Sequence, residues 1–474
     1  MPFHVALIAA LVKIAAIVGY IMIAVPMAVW LERKLVADIQ ARIGPNRVGP
    51  FGLLQAFADG IKLLFKEAIT PVEVDRLLYF AAPIVVMIPA FAVAAVVPFG
   101  PTLHAFGYDH KLVVADLPVG VLFVLAVTSL SVYGIVLSGW SSNSKYSLLG
   151  GLRSSAQMVS YELPMGLCAV AAVMIASWRF TEGHGFFSLS LAQIVDAQQG
   201  WFWNWTAFNW RFGFLGLLAG LIFFICGLAE TNRAPFDLPE AESELVGGYH
   251  TEYTGMRFAL FFLAEYAAMM NVAASTTVLF FGGWRAIYPD PFPAGSVLSV
   301  LHGVLWFGAK IWFIMAVYIW IRGTLPRLRY DQLMEFGWKR LIPASLGIVF
   351  VTAIVLTFVF PMRPPAFLIQ AAQASTPAPP GNAPAGNAPP VNLPGGLLSG
   401  NTPGMGNAPA PNAPAANAPA GNLPAAVSPA GNAPGRTPAE TPSVPANVPP
   451  PSNVPANAPV TTPHANSPAP SGGR

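Results

Sequence analysis

Apolar residues come in eight long runs along this chain. They occupy positions 5–30, 78–99, 112–138, 157–178, 212–229, 256–281, 297–321 and 341–360. A helix rises about 1.5 Å per residue, so a run of roughly twenty residues covers the ~30 Å hydrocarbon core of a bilayer. The pattern predicts an all-α polytopic membrane protein of about eight transmembrane helices. The first run is too long for the apolar centre of a signal peptide, contains Lys13, and lacks a small-residue cleavage site before the next charges. It reads as a retained helix. Residues 55–67 (QAFADGIKLLFKE) are too short and too charged to span, yet Phe57, Ile61, Leu64, Phe65 and the following Ala68 recur at helical spacing. That segment is expected to be an amphipathic helix lying along the interface. Residues 201–210 (WFWNWTAFNW) read as an interfacial aromatic belt, where rings with one polar handle settle at the headgroup level. Beyond 360 the character changes. Pro, Ala, Asn and Gly with loose recurrences of Gly-Asn-Ala-Pro-Ala can neither build a core nor sustain a helix. The expected division is a transmembrane domain over 1–362 and a disordered tail over 363–474.

Composition agrees with that class, since 54% of residues are hydrophobic and only 10% charged. The net charge of +3 matters less than its placement. Lys and Arg gather after the first, third, fifth and seventh runs (Arg33, Lys34, Arg42, Arg47, Lys62, Lys66 and Arg76 after the first) and are sparse on the other side. By the positive-inside rule those loops are cytoplasmic, and both termini lie outside the inner membrane of a bacterium. Cys168 and Cys226 both fall in apolar runs, so an iron–sulfur cluster or a structural disulfide is not expected. No Gly-x-Gly-x-x-Gly turn or Walker loop is present, and the seven histidines lack ligand spacing. Metal and nucleic-acid partners are therefore not expected, nor is a cofactor bound by this chain.

Candidate chemistry sits where charge meets apolar sequence. In residues 32–50 (ERKLVADIQARIGPNRVGP), two Gly-Pro pairs force turns, so that Arg42 and Arg47 project fixed positive charge from a constrained loop. A positive-inside anchor would carry the same charges without needing those turns. Residues 230–252 (ETNRAPFDLPEAESELVGGYHTE) place six carboxylates between two apolar runs. Pro235 and Pro239 stop the preceding helix, and Glu240 and Glu244 stand four apart, on one face of any short helix that follows. Clustered carboxylates repel one another and partial burial raises their pKa values, so such a group can trade protons near neutral pH. A solvated acidic surface is the plainer reading, weakened by the interleaved Phe236, Leu238 and Leu245. Within the runs themselves lie Glu162, Glu265 and Lys310. Glu265 is roughly 13 Å into the sixth run, and Lys310 is near the middle of the seventh, beyond easy snorkelling reach. Structural interhelical pairing is one reading of these groups; stations on a proton route is the other.

Four blocks carry a resemblance: 32–67; GWSSNSKYSLLGGLR at 139–153 leading to SYEL at 160–163; 230–252; and RGTLPRLRYDQLM at 322–334. Together they resemble a family of membrane subunits of the proton-pumping NADH:quinone oxidoreductase, respiratory complex I. The likeness covers residues 5–360. It implies a subunit at the junction between redox arm and pumping arm, inert alone, with FMN and iron–sulfur clusters in its partners. In that family the first, interfacial and sixth helices frame an opening for the quinone tail. The implied quinone cavity comprises Arg42, Arg47, Asp59, Asp237, Glu240, Glu242 and Glu244. Glu162, Glu230 and Glu265 would belong to the proton path, with Lys310 beside them. Implied partners are the peripheral quinone-site and iron–sulfur subunits, small membrane subunits, antiporter-like subunits, quinone and lipid. The basic 322–340 segment, with Tyr330, Phe336 and Trp338, looks like a docking surface for a soluble subunit.

Two alternatives stay open at this level: the membrane anchor of an energy-converting hydrogenase or formate hydrogenlyase, and a free-standing cation/proton transporter. The full turn at 44–50 favours the quinone enzyme, and no inverted repeat or pair of broken helices supports a transporter.

Overall fold

The computed structural model describes residues 3–105, 107–181, 188–237 and 247–359. Packing divides the chain into Met1–Asn382 and Ala383–Arg474, and every described residue belongs to the first unit. The expected tail, together with Glu240, Glu242 and Glu244, lies outside the described residues.

Helices dominate. In chain order they are α1 (Phe3–Ile39), α2 (Gln55–Phe65), α3 (Arg76–Val96), α4 (Gly120–Ser141), α5 (Lys145–Thr181), α6 (Leu191–Ala197), α7 (Leu215–Glu230), α8 (Met256–Phe280), α9 (Val297–Thr324) and α10 (Tyr330–Val359). Seven of the described helices are long and apolar enough to cross a membrane, namely α1, α3, α4, α5, α8, α9 and α10. The eighth expected span, α7, has only 16 residues, about 24 Å of helix. A 3₁₀ turn at Trp210–Phe212 precedes it. The chain is thus an all-α polytopic membrane protein, and α2 forms where the amphipathic period places it.

Apolar runs locate the spans and miss their ends. Val97 is extended before Pro98, as a residue preceding proline prefers, so α3 stops at Val96 rather than 99. The third span begins at Gly120, not at Leu112. Leu112 instead closes a two-stranded antiparallel hairpin, β1 (Gly100–Ala105) with β2 (Tyr108–Leu112), in which His104 faces Asp109 and Gly100 faces Leu112. Alternation in Tyr108-Asp-His-Lys-Leu112 suits a half-buried strand, and Asp116 and Pro118 keep it apart from the helix. Conversely, α1 and α5 run past their apolar cores, α1 by nine residues beyond Trp30 and α5 beginning twelve residues before Gln157.

The spans pack as α3 on α4, α4 on α5, α5 on α7 and α10, α3 on α8, and α1 on α9. Small residues set these distances where backbones approach. A Cβ at Gly134 of α4 would lie 2.3 Å from Val86 Cγ2 and 2.9 Å from the Val86 backbone nitrogen on α3. At Gly150 of α5 it would lie 2.7 Å from Gly248 Cα, which lets the turn after the acidic loop seat against the bundle.

Candidate functional site

The end of α7 builds the site. Asn232 adopts left-handed φ of 50°, and the amides of Asn232 and Arg233 donate back to Ala229 and Leu228 at 3.2 and 3.3 Å, the two bonds of a Schellman stop. Gln157 of α5 then fixes the turn by donating Nε2 to the carbonyls of Ala229 (2.7 Å) and Phe236 (2.8 Å). Reversing the chain there turns Arg233 into the bundle, where it is only 5% exposed.

Arg233 stands between two carboxylates from helices distant in sequence. Its Nε is 2.7 Å from Glu265 Oε1 on α8, and Nη1 is 3.6 Å from Glu32 Oε1 on the extension of α1. Arg322 of α9 pairs with the same Glu32 oxygen, Tyr266 donates its hydroxyl to Glu32 Oε2 at 2.7 Å, and the Arg233 guanidinium lies 4.3 Å from the Tyr266 ring centre. Among the described residues, two cations thus meet two anions. Buried charge is tolerable only when paired and hydrogen-bonded in this way, because removing one partner leaves the other desolvated. Among these groups, sequence reading singles out Glu265 alone. Glu32 and Arg322 look there like ends of loops, although the run of helix formers from Leu31 to Leu35, with no Gly or Pro before Gly44, is a signal that α1 continues.

Glu265 also lines an internal cavity of about 60 Å³, and Glu230, at the last turn of α7, lines the same cavity along with Thr128, Ser131, Asn232 and Asn271. That is room for a few water molecules, in a lining that is mainly apolar apart from these side chains. Glu230 stands near the Thr128 side chain, whose hydroxyl donates to the Leu125 carbonyl at 3.0 Å, and lies within electrostatic range of Glu162. Its Oε2 is buried without a hydrogen-bond partner among the described residues. Glu162 of α5 accepts a hydrogen bond from Ser129 of α4. The three acidic residues expected along a route are therefore neighbours: Glu265 and Glu230 across one cavity, Glu230 and Glu162 beside Thr128 and Ser129.

Lys310 lies elsewhere. Its ammonium donates to the carbonyls of Phe281 (2.6 Å), Gly283 (3.0 Å) and Arg285 (2.6 Å), and stands 4.0 Å over the Trp205 ring. A cation there meets the negative end of α8. Arg42 and Arg47 are exposed on the 40–54 loop and form no ion pair among the described residues; Arg42 bonds Gln40 at 2.7 Å. The loop itself is tightly shaped, since a Cβ at Gly52, where φ is 76°, would sit 2.3 Å from the Pro45 oxygen. Asp59 on α2 pairs with Arg33 at 2.5 Å, joining the interfacial helix to α1. Asp237 is partly buried beside His250. Burial pushes the His250 imidazole down to about 4, against the opposing pull of the Asp237 carboxylate.

Comparison with known proteins bears directly on this arrangement. The profile of the NADH dehydrogenase family matches residues 12–353, which includes every described member of the site. A protein of Koribacter versatilis (strain Ellin345), named as the second H-type subunit of its NADH-quinone oxidoreductase, is 48% identical over 358 residues, 73% of this chain and 97% of that protein. Of the readings that the sequence leaves open, the match supports the complex I subunit. The chain belongs to the NADH dehydrogenase family, as a multi-pass membrane subunit of the H type in NADH:quinone oxidoreductase, complex I.

Proposed function

We propose that this chain forms one wall of the quinone cavity and couples quinone reduction to proton translocation across the bacterial inner membrane, with both termini on the outer side. The supporting observation is that Glu265 belongs at once to the Glu32–Arg233–Arg322 cluster and to the cavity it shares with Glu230. A change of charge on the cytoplasmic side, where Asp237, Arg42, Arg47, Asp59 and the 240–244 carboxylates lie in this reading, alters how Arg233 divides itself between Glu32 and Glu265. Glu265 then exchanges a proton through the cavity water with Glu230, and Glu230 with Glu162. Lys310 is left out of this route because its three donors are committed to backbone carbonyls. Electrons enter the quinone from FMN and iron–sulfur clusters in peripheral subunits; the charge displacement leaves toward small membrane and antiporter-like subunits.

Glu265→Gln tests the route. In membranes where a native gel shows assembled complex, inhibitor-sensitive NADH:quinone reductase and proton uptake into inverted vesicles are measured together. Loss of a proton-carrying side chain is expected to cost on the order of 100-fold or more in the coupled activity. Wild-type rates of both reduction and pumping in the assembled variant would reject the route.

A further inference from the structure

Two cavities at the opposite end of the bundle from the ion cluster share a wall. One, of about 610 Å³, mixes polar and apolar walls and is lined by the paired Lys111 and Asp116 (2.5 Å), Asp196, Trp284, Arg285 and His302, among others. The second, of about 230 Å³, is almost wholly apolar and runs between α1 and α9, past Tyr20, Phe99, Phe307 and Gly308. Leu112 and Val113, at and just beyond the end of β2, line both. The Lys13 ammonium marks the junction: it lines the apolar cleft and donates to the Val113 carbonyl at 3.1 Å. Lys13 and Glu32 are nineteen residues apart on α1. That is about 29 Å of helix, one hydrocarbon thickness. Lys13 therefore sits near the headgroup level of the leaflet remote from the cluster. Beside the cleft, Ile14 and Leu305 turn exposed apolar surface outward, as residues facing lipid do.

Two residues in the wall of the larger cavity also carry unspent donors. Trp284 is 5% exposed, and its indole N–H has no partner among the described residues. Arg285 gives Nη2 to Asp196 at 2.8 Å, while its buried Nε likewise lacks a partner. Buried donors are seldom left unmet, because each costs the desolvation of a hydrogen bond. An amphiphile satisfies both compartments together. We propose that these cavities form a binding site for one phospholipid with an amine-bearing headgroup: one acyl chain lies in the cleft, the phosphate takes the Lys13, Trp284 and Arg285 donors, and the amine faces Asp116 and Asp196. A free anion would leave the cleft empty and would meet the two carboxylates unfavourably.

The test uses assembled complex purified in mild detergent, with retained lipid counted by native mass spectrometry. In Gly308→Phe the new ring enters the cleft, since a Cβ there meets nothing within 4 Å. Trp284→Phe keeps the ring and removes the donor. Each variant is expected to hold one phosphatidylethanolamine fewer per complex, with affinity for added lipid lowered roughly tenfold in Trp284→Phe. Vesicles of phosphatidylethanolamine should raise the melting temperature of delipidated wild type and not that of the variants. Unchanged lipid counts in both variants would overturn the site, as would an equal rise with inorganic phosphate alone. Loss of a neighbouring subunit at unchanged lipid count would give the cleft to a protein partner and would also overturn it. Should Gly308→Phe fail to assemble, Trp284→Phe decides.

Discussion

Arg233 shows how one residue can hold a membrane site together. It reaches the bundle interior because Asn232 accepts a left-handed backbone and Gln157 clamps the turn on both sides. Once there, it links α1 and α8 through Glu32 and Glu265. Outside the spans, the segment that follows this turn carries His250, within electrostatic range of Asp237. The imidazole's folded pKa of about 4 lies below the ordinary 6.5, so the folded state resists a proton that the unfolded chain accepts. Stability is accordingly full above about pH 6.5 and falls as pH drops from 6.5 toward 4, by up to about 3 kcal/mol, lessened by residual solvent access. Protection from hydrogen exchange over residues 247–255, taken against the intrinsic amide rate at each pH, should therefore fall progressively between pH 6.5 and 4.5 in wild type. His250→Gln should flatten that dependence. An equal acid response in both would remove His250 as its cause.

At the level of elements, hydropathy names each span and is silent on two kinds of feature. Helix ends obey backbone chemistry, so Pro98 and Pro118 cut spans that apolar runs extend, while Leu31 to Asp38 prolong α1 through charged residues. The β1–β2 hairpin hides because Leu112 and Val113 merge with the run that follows. Glu162 and Glu265 are legible, as ionisable groups in apolar sequence are conspicuous, and Glu230 through the resemblance of its loop. Their partners are not: Glu32, Arg233 and Arg322 come from three distant segments, and no spacing in the sequence pairs them. Helix approach is similarly invisible until the packing is seen. Gly134→Leu should wedge α3 from α4 at Val86, at a cost of about 1–3 kcal/mol, and lower the melting temperature of the assembled complex. Gly134→Ala should do so less, and Val86→Ala should relieve part of that strain, since Val86 Cγ2 is the nearest atom. Gly19→Ala, whose Cβ meets nothing within 4 Å, serves as the neutral control. If Gly134→Leu melts like that control, the contact does not set the helix spacing.

For the whole molecule, the two ends of the bundle differ in kind. One end gathers the ion cluster, the shaped 40–54 loop and the interfacial α2, tied by Arg33 to Asp59. The opposite end carries the hairpin, the aromatic 201–210 turns and the lipid-sized cavities. In the proposed orientation the cluster end meets the cytoplasm, because translocating Lys and Arg against the membrane potential is disfavoured and that end holds most of them. The two native thiols make this testable without background, since Cys168 and Cys226 are both buried. Lys145 at the start of α5 and Asp109 in β2 are exposed and lie at opposite ends of the bundle. A membrane-impermeant maleimide should label Lys145→Cys only in inverted vesicles and Asp109→Cys only in intact spheroplasts. The reverse pattern would place the ion cluster on the outer side. A quinone cavity fed from cytoplasmic redox subunits is not compatible with that orientation, so this labelling tests the coupling reading independently of any activity assay.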